Sequence, residues 1–103
     1  MPVTERSQQI AVLHACLRKA ATEFIKLEIS YADKDGVATQ RIIWPLAILG
    51  WGDRWTVLGW CELRQDYRNF RLDRIAQARL LEAHFETGPE LSYDHYCRTR
   101  LEG

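Results

Sequence analysis

A chain of 103 residues is the size of one domain, and 47% apolar residues with four Trp supply one modest core and exclude disorder. Fourteen basic and fourteen acidic residues cancel. That balance excludes a protein that coats nucleic acid by bulk electrostatics, so any anion site has to be local.

The basic residues are eleven Arg and three Lys, a bias toward forked, directional contacts over diffuse charge. Cys16, Cys61 and Cys97 are widely spaced, odd in number and without a C-x-x-C, which argues against a disulfide framework or a zinc knuckle. His95 and Cys97 form an H-x-C, but two ligands without two more do not make a metal site. The thiols are read as reduced. No apolar run approaches the roughly 18 residues of a membrane span and there is no signal-peptide pattern, so a cytoplasmic protein is expected.

In chain order, the first element is a helix over about residues 5–21, capped by Thr4 or Ser7. Ile10, Leu13, Leu17 and Ala20 or Ala21 recur at helical spacing as its apolar stripe, with His14 and Cys16 off the stripe. The stripe has to pack on the barrel that follows or on a partner helix in a dimer.

From Phe24 to Tyr31 the residues alternate: Ile25, Leu27, Ile29 and Tyr31 on one face, Lys26, Glu28 and Ser30 on the other. Asp33 to Gly36 make a turn, and a second strand runs from about Val37 to Ile43. Pro45 marks an edge or a break before a third strand over Leu46 to Trp51. Gly52, Asp53 and Arg54 then turn the chain.

Trp55 to Cys61 is aromatic and β-branched, Glu62 to Asp66 is polar, and Tyr67 to Leu72 resumes a strand pattern, which predicts a hairpin. Its second arm interleaves Arg64, Arg68, Arg71 and Arg74 with Tyr67 and Phe70. Strand parity puts Phe70 and Leu72 on the core face, with Arg68 and Arg74 at its rims. Arg71 points the other way with Tyr67, Asn69 and Asp73. Because parity leaves it no packing role, Arg71 is the first candidate ligand residue. Such a cluster can grip phosphate or carboxylate while aromatic rings stack on a ligand. Equally, the arginines can pair with Glu62, Asp66 and Asp73 as a solvated charge network. Tyr31 shares the parity of the core, so packing and ligand contact remain equal alternatives for it.

After Ile75, residues Ala76 to Leu81 form a last strand and Phe85 a core anchor. Thr87, Gly88 and Pro89 break the chain before a short helix over about 92–101, capped by Ser92 and anchored by Tyr93 and Tyr96. No repeat or linker interrupts the chain, so a single domain over 1–103 is expected. It is mainly β with flanking helices (α+β): the helix, a bent sheet over about 24–85 forming a small partial barrel, and the C-terminal helix.

The run R-x-D-x-R-x-F-R-L-D-R-I from Arg64 to Ile75, behind a strand opened by Trp55, resembles the WYL domain of bacterial transcriptional regulators. The Trp-Tyr-Leu triplet that names the family stands here as Trp55, Thr56 and Val57. The resemblance covers about residues 10 to 85, and it implies a five-stranded Sm-like or SH3-like barrel with the helix across one end. It also implies a DNA-binding domain on a longer parent or partner chain, since no second amphipathic helix precedes Phe24.

No catalytic motif appears: there is no G-x-S-x-G, no phosphate loop, and Cys61 beside Glu62 reads as a core residue. The chain is therefore expected not to be an enzyme and to need no cofactor or metal. Two functions remain open. One is a ligand-sensing module that binds a nucleotide or short single-stranded nucleic acid through Arg64, Arg68, Arg71, Arg74, Tyr67, Tyr31 and Trp55. The other is an interaction or homodimerisation module whose Arg-rich face docks an acidic partner.

Overall fold

The computed structural model describes residues 5–101. Helix α1 (Glu5–Glu23) leads into strands β1 (Ile25–Ala32), β2 (Ala38–Trp51), β3 (Arg54–Cys61) and β4 (Asp66–Arg71). A 3-10 turn (Leu72–Arg74) joins β4 to β5 (Ile75–His84), and α2 (Tyr93–Tyr96) runs on into a π-helical turn (Cys97–Leu101). The strands form one antiparallel sheet in the order β4-β3-β2-β1-β5, mainly β with flanking helices as the sequence predicts. β4 and β5 are its two edges, and they are not paired with each other, so the barrel is partial. The sheet nevertheless curls. Arg71 N–H on β4 donates to the Tyr31 hydroxyl on β1 at 3.2 Å, although two strands lie between them in the sheet.

Local chemistry sets the turns. The Asp33 carboxylate accepts from the N–H groups of Asp35 and Val37 at 2.9 Å each, and Gly36 takes the left-handed conformation that closes the β1–β2 turn. Gly52, at φ 69°, sits first in the two-residue β2–β3 loop, where a hairpin of this handedness demands glycine. Gln65 N–H returns to the Cys61 carbonyl at 2.8 Å in the β3–β4 turn.

The two strands expected on either side of Pro45 are a single strand of 14 residues. Its register slips between Pro45, opposite Gly59, and Ala47, opposite Leu58, so Leu46 forms a bulge. A bulge tolerates a residue without an N–H in the interior of a sheet, which is why the proline does not end the strand. The bulge also brings the β2 backbone close to β3. A Cβ on Gly59 would lie 3.0 Å from the Trp44 carbonyl oxygen, and only glycine fits there without displacement.

The expected alternation in β1 is observed: Ile25, Leu27, Ile29 and Tyr31 are buried. They meet Ile43, Val57, Cys61, Phe70 and Ile75 in one core, which Leu17 and Ala20 of α1 enter fully buried. The apolar stripe of α1 is shorter than its spacing predicts, because Ile10 is 46% exposed and lines a groove beside β5 instead. Of the expected caps, Thr4 lies outside the described residues, as does the side chain of Ser7. Phe85 is buried, stacked on Trp44 at 5.7 Å and edge-on to Phe24 at 5.8 Å. The Ser92 hydroxyl accepts from His95 N–H at 3.0 Å, capping α2 as predicted.

Candidate functional site

Register places three polar side chains among the apolar ones on the inner face of the curl. Arg68 lies opposite Gly59 and two residues from Phe70, and Arg41 on β2 lies opposite the buried Ile29, in phase with Ile43. Tyr31 is the third. The Arg68 guanidinium lies over two rings, 5.2 Å from the centre of Phe70 and 5.9 Å from that of Tyr31, and these rings are themselves edge to face at 5.0 Å. Arg68 Nη1 and Arg41 Nε are each sealed from solvent with no hydrogen-bond acceptor. Among the described residues neither arginine forms an ion pair. The sequence analysis missed Arg41, and its signal was parity: a charged residue two positions before a core residue on the same strand.

Beyond this pair lies a second cluster, at the junction of β4 and the 3-10 turn. Arg71 is committed to Asp73 through two contacts, Nε to Oδ1 at 3.0 Å and Nη2 to Oδ2 at 2.6 Å. That hydrogen bond holds the Asp73 carboxyl below the usual carboxylate range, and the charges of Arg74 and Arg54 act in the same direction. Four groups thus share one end of the sheet, with net positive charge. Arg71 does have a structural partner, contrary to the expectation that parity leaves its fork free.

Tyr67 goes elsewhere. It is buried on the outer face under the C-terminal segment, where its hydroxyl accepts from Ser92 N–H at 3.0 Å and lies 2.8 Å from His95 Nδ1. Beside it runs a chain of hydrogen bonds: Trp51 Nε1 to Thr56 Oγ1 (2.9 Å), Thr56 Oγ1 to Asn69 Oδ1 (3.2 Å), and Asn69 Nδ2 to Tyr96 OH (3.0 Å). This outer face therefore fastens α2 to the hairpin.

Arg64 is exposed in the β3–β4 turn, at the opposite end of β4 from Arg71. Trp55 is half exposed at the start of β3, edge-on to His14 of α1 at 5.1 Å, which gives that histidine a packing role the stripe did not predict. Of the seven residues read from sequence, the structure gathers Tyr31, Arg68, Arg71 and Arg74 and places Arg64, Tyr67 and Trp55 apart. The acidic residues considered as their partners divide too. Asp73 takes Arg71, whereas Glu62 binds Lys26 (3.2 Å) and Trp44 Nε1 (2.8 Å), and Asp66 pairs with Arg100. Among the described residues no three His, Cys, Asp or Glu side chains converge as a metal site, and no helix is long and apolar enough to cross a membrane.

A helix packed on a curled five-stranded sheet, with arginines turned inward beside aromatic rings, defines a small regulatory β domain. The WYL domain model matches residues 13–80, and the chain belongs to the WYL-domain family, the regulatory domains of transcriptional regulators. Among solved structures it is similar to proteasome accessory factor B/C (PafBC) of Arthrobacter aurescens, with a TM-score of 0.70 and 24% identity over 84% of this chain. The match covers 13% of that protein's chain.

Proposed function

We propose that this domain is the ligand-sensing module of a bacterial transcriptional regulator and that its ligand is a short single-stranded nucleic acid or a nucleotide. The observation that carries the reading is the inward-facing pair Arg41 and Arg68, with buried donors lacking acceptors and the rings of Tyr31 and Phe70 alongside. A buried cation without a counter-ion is costly, and phosphate oxygens would supply the acceptors. Arg54, Arg71 and Arg74 extend the basic surface outward for further phosphates. In a regulator, binding here would be relayed to a DNA-binding domain on the parent or a partner chain.

A melting assay tests the reading. A ligand that binds only the folded state at about 100 times its Kd stabilises it by about 2.7 kcal/mol, a rise of several degrees for a domain this size. Single-stranded oligonucleotides or nucleotides should produce that rise, and duplex DNA, whose bases are closed to stacking, should not. If no nucleic acid or nucleotide shifts the transition, the arginines serve the alternative of docking an acidic partner protein.

A further inference from the structure

The inner pair of arginines differs from the others of the molecule in its surroundings. Arg71, Arg79, Arg98 and Arg100 each meet a carboxylate, with Asp73, Glu28, Asp94 and Asp66 as partners. Arg41 and Arg68, turned toward the core, meet none among the described residues and carry the two buried nitrogens without acceptors. The fold therefore neutralises its outer guanidinium groups and leaves the inner two uncompensated.

Resting on the nucleic-acid reading above, we infer that Arg41 and Arg68 form the seat of a terminal phosphate, so that the domain recognises a phosphorylated strand end. Three features carry this. First, the position across from Arg68 is Gly59, which projects no side chain into the curl and leaves space beside the guanidinium. Second, Arg68 is held flat against Phe70 and Tyr31, and a stacked guanidinium keeps its in-plane donors available for an oxyanion. Third, charge and depth favour an end over an interior link. A phosphodiester carries one negative charge and needs the strand to enter and to leave, but both arginines lie on the inner face among residues as closed as Tyr31, at 5% exposure. A phosphomonoester carries about −1.5 to −2 at neutral pH, matches two guanidinium charges, and has only one connection to follow. The Tyr31 hydroxyl bonded to Arg71 N–H shows that the inner seat adjoins the rim of Arg71 and Arg74, along which the following phosphates would run.

The test uses oligonucleotides of about ten nucleotides, within the range bound by small β domains, labelled mid-strand and ending in a 5′-phosphate, a 3′-phosphate or hydroxyls only. Anisotropy should show one phosphorylated end binding about tenfold or more tighter than the hydroxyl-ended strand, the ratio that one charge-assisted hydrogen bond supplies. Arg41→Gln and Arg68→Gln should abolish that preference while the strand remains weakly bound by the rim. Arg41→Lys, which keeps the charge, should retain part of it and guards against a Gln variant that fails to fold. Equal affinity for all three strands overturns the inference and leaves the nucleic-acid reading standing. A preference that survives both Gln variants in folded protein also overturns it. Absence of binding by any strand removes the nucleic-acid reading and the inference with it.

Discussion

Tyr67→Phe separates the two roles that the Arg-rich hairpin can have. The substitution keeps the ring, which packs edge-on against Trp60 at 5.6 Å and Tyr96 at 5.6 Å, and removes only the hydroxyl. That oxygen accepts from Ser92 N–H and is within hydrogen-bond distance of His95 Nδ1, to which it donates when that nitrogen is unprotonated. Both partners are half-buried, so water replaces the lost bonds only in part, and the expected cost is about 1–2 kcal/mol. For a domain this size, each kcal/mol lowers Tm by about 4–8 °C, which calorimetry resolves easily. His95→Ala should cost a similar amount, and the double variant should lose less than the sum, because the two side chains share one interaction. Oligonucleotide affinity should not change, since Tyr67 lies on the outer face. A Tm within about 2 °C of wild type would mean that α2 is not fastened by this hydroxyl. A loss of affinity with stability intact would return Tyr67 to the ligand site.

Phe70→Ala, at a fully buried position, should cost about 3–5 kcal/mol in denaturant unfolding, and a loss below about 1 kcal/mol would contradict the inward parity of β4. Gly59→Ala should destabilise by about 1–3 kcal/mol because its Cβ meets the Trp44 carbonyl backbone. Gly50→Ala, whose Cβ would meet only the Trp55 ring at 3.3 Å, should cost clearly less; equal losses would refute the bulge argument. Glu62, Asp66 and Asp73 all have lowered pKa values, held down first by the Trp44 N–H, the Tyr67 backbone N–H and the Arg71 fork respectively. Their contribution is complete above the ordinary carboxylate range and is lost as pH falls through their folded values, so stability should decline below about pH 4. Stability that stays level from pH 5 to about pH 2 would contradict these contacts.

The pattern of β1, the hairpin turn at Glu62 to Gln65 and the burial of Phe70 and Leu72 were legible because side-chain period and turn chemistry are local. Pro45 was misread for the opposite reason. Its missing N–H is tolerated by a bulge that exists only through pairing with Gly59 on another strand. The site divides along the same line. Parity correctly turned Arg68 toward Phe70, but the Arg71–Asp73 fork and the burial of Tyr67 under α2 depend on contacts across 2 and 25–28 residues that composition does not reveal. Arg41 was legible in principle, being in phase with Ile43, but its significance lies in the missing acceptor, which only the packed structure shows.

The central claim is that the inner arginines, Arg68 above all, hold a nucleic-acid phosphate. Its most direct measurement is a titration of wild type, Arg68→Ala and Arg71→Ala with a short single-stranded DNA at about 50 and 200 mM salt. Wild type should bind saturably and weaken steeply with salt. Arg68→Ala should bind about tenfold or more weakly, with a log-log salt slope smaller by about 0.7, the change for one single-strand phosphate contact. Arg71→Ala should lose less, because Asp73 already occupies its fork. Wild type without saturable binding at the lower salt, or Arg68→Ala binding as tightly as wild type, would contradict the account.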